Sequence, residues 1–170
     1  MILLSSLSKA FGATGGAITV LTAGDAEMIR RHASTYTFGG PLSMGGVGAA
    51  VASGKIHLSP EIGELQAALW RNTALIDGLL GPVLGNHDVA SPIRFVRVGA
   101  ERDAISLALY LRRQAIAVTT ALFPVVAKGE AMLRLAISAN HSQAQLQSLA
   151  NAVTGGFAEL GIRQQGAGDE

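Results

Sequence analysis

The sequence lacks cysteine altogether and has few aromatic or charged residues, and each shortage excludes a class of protein. Aromatic residues make up 5% of the 170 positions and charged residues 15%, with a formal net charge of +1. Without cysteine there is no disulfide, thiolate nucleophile or cysteine-based zinc site, which is compatible with a cytoplasmic protein. Because the net charge is near zero and the arginines are scattered, binding to nucleic acid or an anionic membrane has no electrostatic basis. The histidines have no metal-like spacing, so we expect no metal site.

Apolar residues are abundant, at 49% of the chain, but they occur in short runs. The longest, at 105–111 and 121–127, are far below the roughly 20 residues that a membrane-spanning helix needs. The sequence therefore predicts no membrane span and ample material for a packed core. Five of the apolar runs predict strands, at residues 2–6, 17–22, 93–98, 115–120 and 132–138.

Helical patterns lie between these runs and indicate an α/β or α+β fold. Ser59-Pro60-Glu61 predicts the start of a long helix to about residue 80, because serine suits the N-cap and proline the first helical position. Ser142 and Gln145 have the spacing of a capping box for the last helix. Shorter helices are expected at 26–32, 46–54 and 104–113, and residues 34–48 are expected to form a loop because glycines interrupt them.

Lys9 has the most informative surroundings for chemistry. It follows the first strand, beside Ser6 and Ser8 and before a glycine-rich turn at 12–16. An amine forms a Schiff base only when unprotonated, which requires a pKa below the ordinary value of about 10.4. Nearby hydroxyls and backbone N–H groups suit a phosphate. From the pattern alone, an ordinary surface lysine at the end of a strand is still the favoured interpretation.

Four segments of the chain form a recognisable series. They are Ser6–Gly12 with Gly15-Gly16, then Tyr36–Pro41, then Ser91–Val98, and finally Gly129–His141. In this order they resemble the α-oxoamine synthases, a family of pyridoxal-phosphate enzymes that condense an amino acid with an acyl-CoA thioester. The resemblance extends from residue 1 to about 153.

The resemblance implies roles for individual residues. Lys9 would hold pyridoxal 5'-phosphate covalently and later transfer protons, with Ser6 and Ser8 as further cofactor-binding residues. Thr37 would contact the cofactor phosphate of a neighbouring subunit in a homodimer, with Tyr36 as the alternative because the alignment is uncertain by one position.

In the second half of the chain, Arg134 would pair with the carboxylate of the amino-acid substrate; without the resemblance it is an ordinary residue at a strand edge. His141 is interpreted as a structural hydrogen-bonding residue. The implied fold is the type I pyridoxal-phosphate transferase fold. Residues 1–84 would be a remnant of its cofactor-binding large domain, 85–162 its α+β small domain, and 163–170 a flexible tail.

The sequence also departs from the family. The family places an aspartate on the pyridine nitrogen and a histidine over the ring, both some tens of residues before the lysine. Only eight residues precede Lys9, and none is of either type. We therefore interpret the chain as a truncated product or one half of a split enzyme. Three functions stay open: an acyltransferase, a non-catalytic fragment or partner subunit, and a class I/II aminotransferase, which the segments at 37–41 and 129–141 disfavour.

Overall fold

The computed structural model describes residues 1–163, which form two compact units. The first is Met1–Gly63 and the second starts at Glu64. The tail expected at 163–170 therefore lies, apart from Arg163, outside the described residues. Within the described part of the chain, no helix combines the length and the apolar character that crossing a membrane requires.

The first unit is a hairpin followed by helices. Strands β1 (Ile2–Ser6) and β2 (Gly16–Val20) are antiparallel, with Ile2 opposite Val20 and Ser6 opposite Gly16. Three helices follow, α1 (Ala23–His32), α2 (Ser34–Thr37) and α3 (Met44–His57).

This first unit has almost no core of its own. Gly46 is its single buried residue, and on β1 the side chains of Leu3 and Leu4 are 54% and 71% exposed. Because successive residues of a strand point to opposite faces, both faces of the hairpin are apolar and uncovered. Strands that are apolar on both faces are typical of sheets that carry helices on both sides.

The second unit has a closed core around a three-stranded sheet. Its elements are α4 (Glu61–Leu80, whose first turn precedes the unit), a 3-10 turn (Gly81–Val83), β3 (Ile93–Gly99), α5 (Glu101–Arg113), β4 (Thr119–Ala121), β5 (Ala131–Ala136) and α6 (Gln143–Glu159). The strands are antiparallel in the order β3-β5-β4. The side chains that are fully buried within it come from all three of its long helices and from the sheet, and include Ile76, Val96, Leu107, Leu111, Leu133, Leu146 and Val153.

Two sequence-based predictions of secondary structure are wrong. Residues 34–48 are not a loop, because α2 forms at Ser34 and α3 begins at Met44, where the Ser43 hydroxyl accepts a hydrogen bond from the N–H of Gly46. The strand expected at 115–120 is limited to Thr119–Ala121, because Ala115 adopts a positive φ of 61° in the turn that ends α5.

The capping box of the last helix is confirmed. The Ser142 hydroxyl accepts from the N–H of Gln145 at 3.2 Å, and the Gln145 side chain accepts from the N–H of Ser142 at 2.9 Å. At the start of α4, the Ser59 hydroxyl accepts from the N–H of Glu61 at 3.2 Å. These bonds satisfy N–H groups that have no partner within their own helix.

A buried ion pair joins α4 to β3. Arg94 is 2% exposed, and its Nε and Nη2 donate to the two carboxylate oxygens of Asp77 at 2.5 and 2.8 Å. Its Nη1 also donates to the backbone carbonyls of Val89 and Ser91. The hydrogen bond with Asp77 raises the pKa of Arg94 above its ordinary value, against the lowering effect of burial. The guanidinium therefore stays charged, and its partners must stay in place.

Replacing Asp77 by asparagine keeps the shape of the side chain but leaves the charge of Arg94 without its counter-charge. The Asp77 side chain is 26% exposed, so water offsets part of the loss. We expect the free energy of unfolding of the second unit to fall by roughly 2–4 kcal/mol. Urea denaturation followed by the fluorescence of Trp70, which lies on α4 with Asp77, measures this.

Glu130→Gln is the matched control, because it removes an exposed carboxylate of the same unit and should change the free energy by less than about 0.5 kcal/mol. A double variant, Asp77→Leu with Arg94→Leu, should be more stable than Asp77→Asn because it buries no charge. If Asp77→Asn unfolds at the same urea concentration as the wild type, the ion pair does not stabilise the unit.

Candidate functional site

Lys9 lies at the tip of the loop that joins β1 to β2. The backbone N–H of Leu7 donates to the carbonyl of Gly15 at 3.0 Å, and the N–H of Ala13 donates to the carbonyl of Leu7 at 2.8 Å. The N–H of Gly12 closes a turn on the carbonyl of Lys9 at 2.9 Å, with Gly12 at a φ of 69° that favours glycine. The loop is thus held by its own backbone bonds, with Lys9 exposed.

The two serines expected to bind the cofactor are brought together next to Lys9. The hydroxyl oxygens of Ser6 and Ser8 are 3.1 Å apart, within hydrogen-bonding distance. Ser6 is the last residue of β1, so the register of the hairpin fixes its place. Two adjacent hydroxyls are donors suited to an anion with several oxygens, such as a phosphate, and they directly precede Lys9 in the chain.

Tyr36, rather than Thr37, shares a groove with Ser6. The groove is open, has a volume of about 550 Å³, and is lined by Ser6, Gly15, Gly16 and Tyr36 among others. Thr37 is exposed on α2 and does not line it. The role expected for Thr37 requires a neighbouring subunit and stays a prediction.

The loop that carries Lys9, residues 7–15 and called the Lys9 loop below, packs on α3 through contacts that the sequence did not suggest. A methyl group at Gly46 would lie 2.0 Å from the hydroxyl oxygen of Thr14, so an alanine there would force the Thr14 side chain to move. The ring of Phe11 stacks on His57 with centroids 4.8 Å apart. The Gly45-Gly46 pair could have indicated the contact with Thr14, because glycines can mark a close backbone approach as well as a break in a helix.

Arg134 lies on β5 in the second unit, opposite Phe95 of β3 and Thr119 of β4. Its side chain is exposed and lines a cavity of about 530 Å³ together with His141 and Gln145. Within residues 1–163, its guanidinium forms no ion pair and no side-chain hydrogen bond. It is therefore available to a ligand carboxylate, for which a guanidinium has matching geometry.

His141 has the bonds of a structural residue. Its Nδ1 accepts from the N–H of Ser138 at 3.2 Å, which places the proton of a neutral ring on Nε2. The Asn72 amide donates to the carbonyls of Ser138 and His141, both at 2.9 Å, and so ties this turn to α4. No local pattern indicates this role of Asn72, because the contact spans more than sixty residues.

Glu101 fixes the loop that leads into β5. Its carboxylate accepts from the N–H of Gly129 at 3.2 Å. A hydrogen bond from its own backbone N–H lowers the pKa of Glu101 most, and the bond from Gly129 lowers it further. The loop before Arg134 is thus attached to the first turn of α5 by a carboxylate that favours its ionised form.

These features belong to the pyridoxal-phosphate transferase fold. A solved structure described as SPT with a PLP internal aldimine superposes with a TM-score of 0.86 at 25% identity, over 95% of this chain and 41% of that one. The serine palmitoyltransferase of Sphingomonas wittichii superposes with a TM-score of 0.81 at 27% identity, over the same shares. The family model for aminotransferase class I and II matches residues 1–153, and the chain belongs to this family.

The curated relatives are α-oxoamine synthases, as the sequence segments predicted. The 8-amino-7-oxononanoate synthase of Vibrio atlanticus is 32% identical over 89% of this chain and 37% of its own length. The 2-amino-3-ketobutyrate coenzyme A ligase of Salmonella typhimurium is 30% identical over 95% of this chain and 40% of its own length. The chain thus spans about two fifths of the length of these two relatives.

We expect Gly46→Ala to detach the Lys9 loop from α3, because the added methyl would overlap the Thr14 hydroxyl. Overpacking of this kind costs about 1–3 kcal/mol. Amide hydrogen exchange should therefore become faster at Leu7 and Ala13, whose N–H groups hold the loop together.

Gly48→Ala is the control in the same helix, because a methyl there meets no atom within 4 Å, and exchange in the loop should not change. Adding Thr14→Ala to Gly46→Ala removes the overlapping oxygen and should restore slow exchange. Equal exchange in the Gly46→Ala and Gly48→Ala variants would contradict the contact.

The lowered pKa of Glu101 predicts a pH dependence for the loop before β5. The stabilising contribution of such a carboxylate is present above its unfolded pKa and is lost as the pH falls through the lower folded pKa. The amide chemical shift of Gly129 should therefore titrate with a midpoint below the ordinary glutamate value of 4.5. The titration should disappear in Glu101→Gln and persist in Glu130→Gln, whereas a midpoint at or above the ordinary value would rule out the bond.

Proposed function

We propose that this chain provides the cofactor lysine and the small domain of a pyridoxal-phosphate-dependent acyltransferase that condenses an amino acid with an acyl-CoA thioester. The observation that carries the proposal is the pairing of the Ser6 and Ser8 hydroxyls directly before Lys9 in the chain, in a chain that matches the family over residues 1–153. When bound, pyridoxal phosphate supplies the electron sink that stabilises a carbanion.

Each residue then has a defined task. The hydroxyls of Ser6 and Ser8 bind phosphate oxygens, and the nearby glycines let the backbone approach them. The Lys9 amine holds the cofactor and moves the proton at the α-carbon of the amino acid. Arg134 binds and orients the carboxylate of the amino acid through its planar fork.

Lys9, Ser6 and Ser8 together suit the aldehyde and the phosphate of the cofactor but not its pyridine nitrogen. The amine and the two hydroxyls suit the covalent link and the phosphate, but residues 1–8 contain no carboxylate for the pyridine nitrogen. We propose that polypeptide outside this sequence supplies that carboxylate and covers the apolar faces of β1 and β2, whose side chains such as Leu4 are exposed.

The proposal includes the assembly and the domain division. Residues 1–84 would belong to the large domain and 85–162 to the small domain of a cytoplasmic homodimer. Thr37 would contact the cofactor phosphate of the other subunit, which agrees with its exposure on α2. The exposed apolar hairpin also supports a second candidate, a partner subunit that keeps the fold without catalysing the reaction.

Borohydride reduction in the presence of pyridoxal phosphate, followed by peptide mass mapping, tests the proposal on the full chain. We expect a reduced adduct at Lys9 in preference to Lys55 and Lys128, the two other lysines. We also expect pyridoxal without phosphate to label Lys9 less, because the Ser6 and Ser8 hydroxyls then bind nothing.

Two lysine variants provide matched controls within the first unit. Lys9→Arg should abolish the specific adduct, and Lys55→Arg, at an exposed position of α3, should leave it unchanged. Ser6→Ala with Ser8→Ala should remove the preference for the phosphorylated cofactor. Labelling scattered equally over the three lysines would overturn the catalytic proposal and leave the partner-subunit function.

A further inference from the structure

The ring of Phe11 attaches the Lys9 loop to the last turn of α3. Phe11 follows Lys9 by two residues and is partly buried. Its ring stacks on the imidazole of His57, with centroids 4.8 Å apart and an angle of 29° between the planes. A methyl group at Gly54 would lie 3.9 Å from Cζ of Phe11, which is an ordinary van der Waals distance. Because residues three apart are neighbours on a helix surface, Gly54 and His57 form one contact area for the ring.

His57 is itself held in one orientation. Its Nδ1 is 2.8 Å from the carbonyl oxygen of Ser53. A carbonyl oxygen can only accept, so Nδ1 carries the proton and donates it. The end of α3 is closed by the hydroxyl of Ser59, which donates to the carbonyl of Ile56 at 2.9 Å. The imidazole plane therefore has a fixed direction against Phe11.

Backbone hydrogen bonds connect the Phe11 contact to Lys9. Residues 9–12 form a turn in which the N–H of Gly12 donates to the carbonyl of Lys9 at 2.9 Å, and Phe11 is the third residue of this turn. On the other side of Lys9, both backbone polar groups of Leu7 are hydrogen-bonded within the loop. Lys9 thus lies between two fixed points, Leu7 at the hairpin and Phe11 on α3.

The two hydroxyls that precede Lys9 are held by the hairpin alone. Ser6 is the last residue of β1 and is paired with Gly16 of β2, and the Ser8 hydroxyl is 3.1 Å from that of Ser6. The hydroxyl pair and the lysine turn therefore have separate attachments. A molecule that engages both at once requires the two attachments together, because reaction between held groups depends on their relative direction.

We propose that His57 is a positioning residue for Lys9. By stacking on Phe11 it fixes the turn at residues 9–12, so that the lysine amine meets the aldehyde of a ligand whose phosphate is bound by the Ser6 and Ser8 hydroxyls. His57 acts through Phe11 and not by touching the cofactor. The inference rests on the proposed function, in which Lys9 holds pyridoxal phosphate.

Amide hydrogen exchange of the full chain, measured by NMR, tests the effect on the loop. In His57→Ala the N–H of Gly12 should exchange about fivefold faster, since an aromatic pair is worth about 1 kcal/mol. His57→Phe restores a flat ring against Phe11 and should restore slow exchange. The control is His32→Ala, which removes an exposed histidine at the end of α1 and should change nothing.

The N–H groups paired between β1 and β2 show whether the effect is local. We expect their exchange to be the same in all of these variants. Exchange that accelerates equally in the hairpin would show that His57 stabilises the whole first unit and would overturn the positioning role. Exchange at Gly12 that stays fast in His57→Phe would also overturn it, because the stacked ring would not be what holds the turn.

Borohydride labelling of Lys9 tests the effect on the chemistry. The probes are pyridoxal phosphate and pyridoxal, which lacks the phosphate that the two hydroxyls would bind. His57→Ala should reduce the preference of Lys9 for the phosphorylated probe about fivefold and leave labelling by pyridoxal unchanged. His57→Phe and His32→Ala should keep the preference. A unit that is merely destabilised would change its labelling by both probes alike.

Failure of this inference is distinguishable from failure of the proposed function. A wild-type preference for pyridoxal phosphate at Lys9 that is unchanged in His57→Ala would overturn the role of His57 alone. A wild-type chain in which Lys9 is labelled no more than Lys55 and Lys128 would contradict the proposed function and, with it, the role of His57 toward the cofactor.

Discussion

The second unit depends on the pairing of one buried cation. A guanidinium that is 2% exposed is tolerated only where carboxylate and carbonyl oxygens surround it, and Arg94 has both, from Asp77 and from Val89 and Ser91. Since these bonds are directional, they allow one position of α4 against β3. Strand β3 in turn sets the register of β5, which carries Arg134. The place of the candidate substrate arginine is therefore a consequence of an ion pair on the opposite face of the sheet.

The first unit is organised differently, because it has no core to hold its candidate site. The Lys9 loop depends on three backbone hydrogen bonds and on its contact with α3 through Thr14 and Gly46. Such a loop keeps its shape locally, but the apolar residues of β1 and β2 stay exposed. The shape of the loop and the burial of the hairpin therefore depend on different contacts.

The features that could be predicted from sequence are those decided by neighbouring residues. The capping box of Ser142 and Gln145 and the hydroxyls beside Lys9 follow from spacings of a few residues. The helix expected at 46–54 begins at Met44, because Gly45 and Gly46 do not break it and Gly46 instead leaves room for Thr14. Arg94 with Asp77, and Asn72 with the turn before α6, join residues far apart in the chain, and no local pattern indicates them. The role of Lys9 came from resemblance, since its local pattern equally suits a surface lysine.

Arg94 and Arg97 show how burial determines the way in which two cations of one strand are held. They are three residues apart on the same strand, so they point to opposite faces of the sheet. Arg94 has a carboxylate and carbonyl partners, and the Asp77 carboxylate neutralises its charge within the fold. Arg97 is held in place by packing over Gly85 and, within residues 1–163, pairs with no carboxylate. Burial thus decides which of the two cations requires a counter-charge, because Arg94 is cut off from water whereas the half-buried Arg97 keeps part of its hydration.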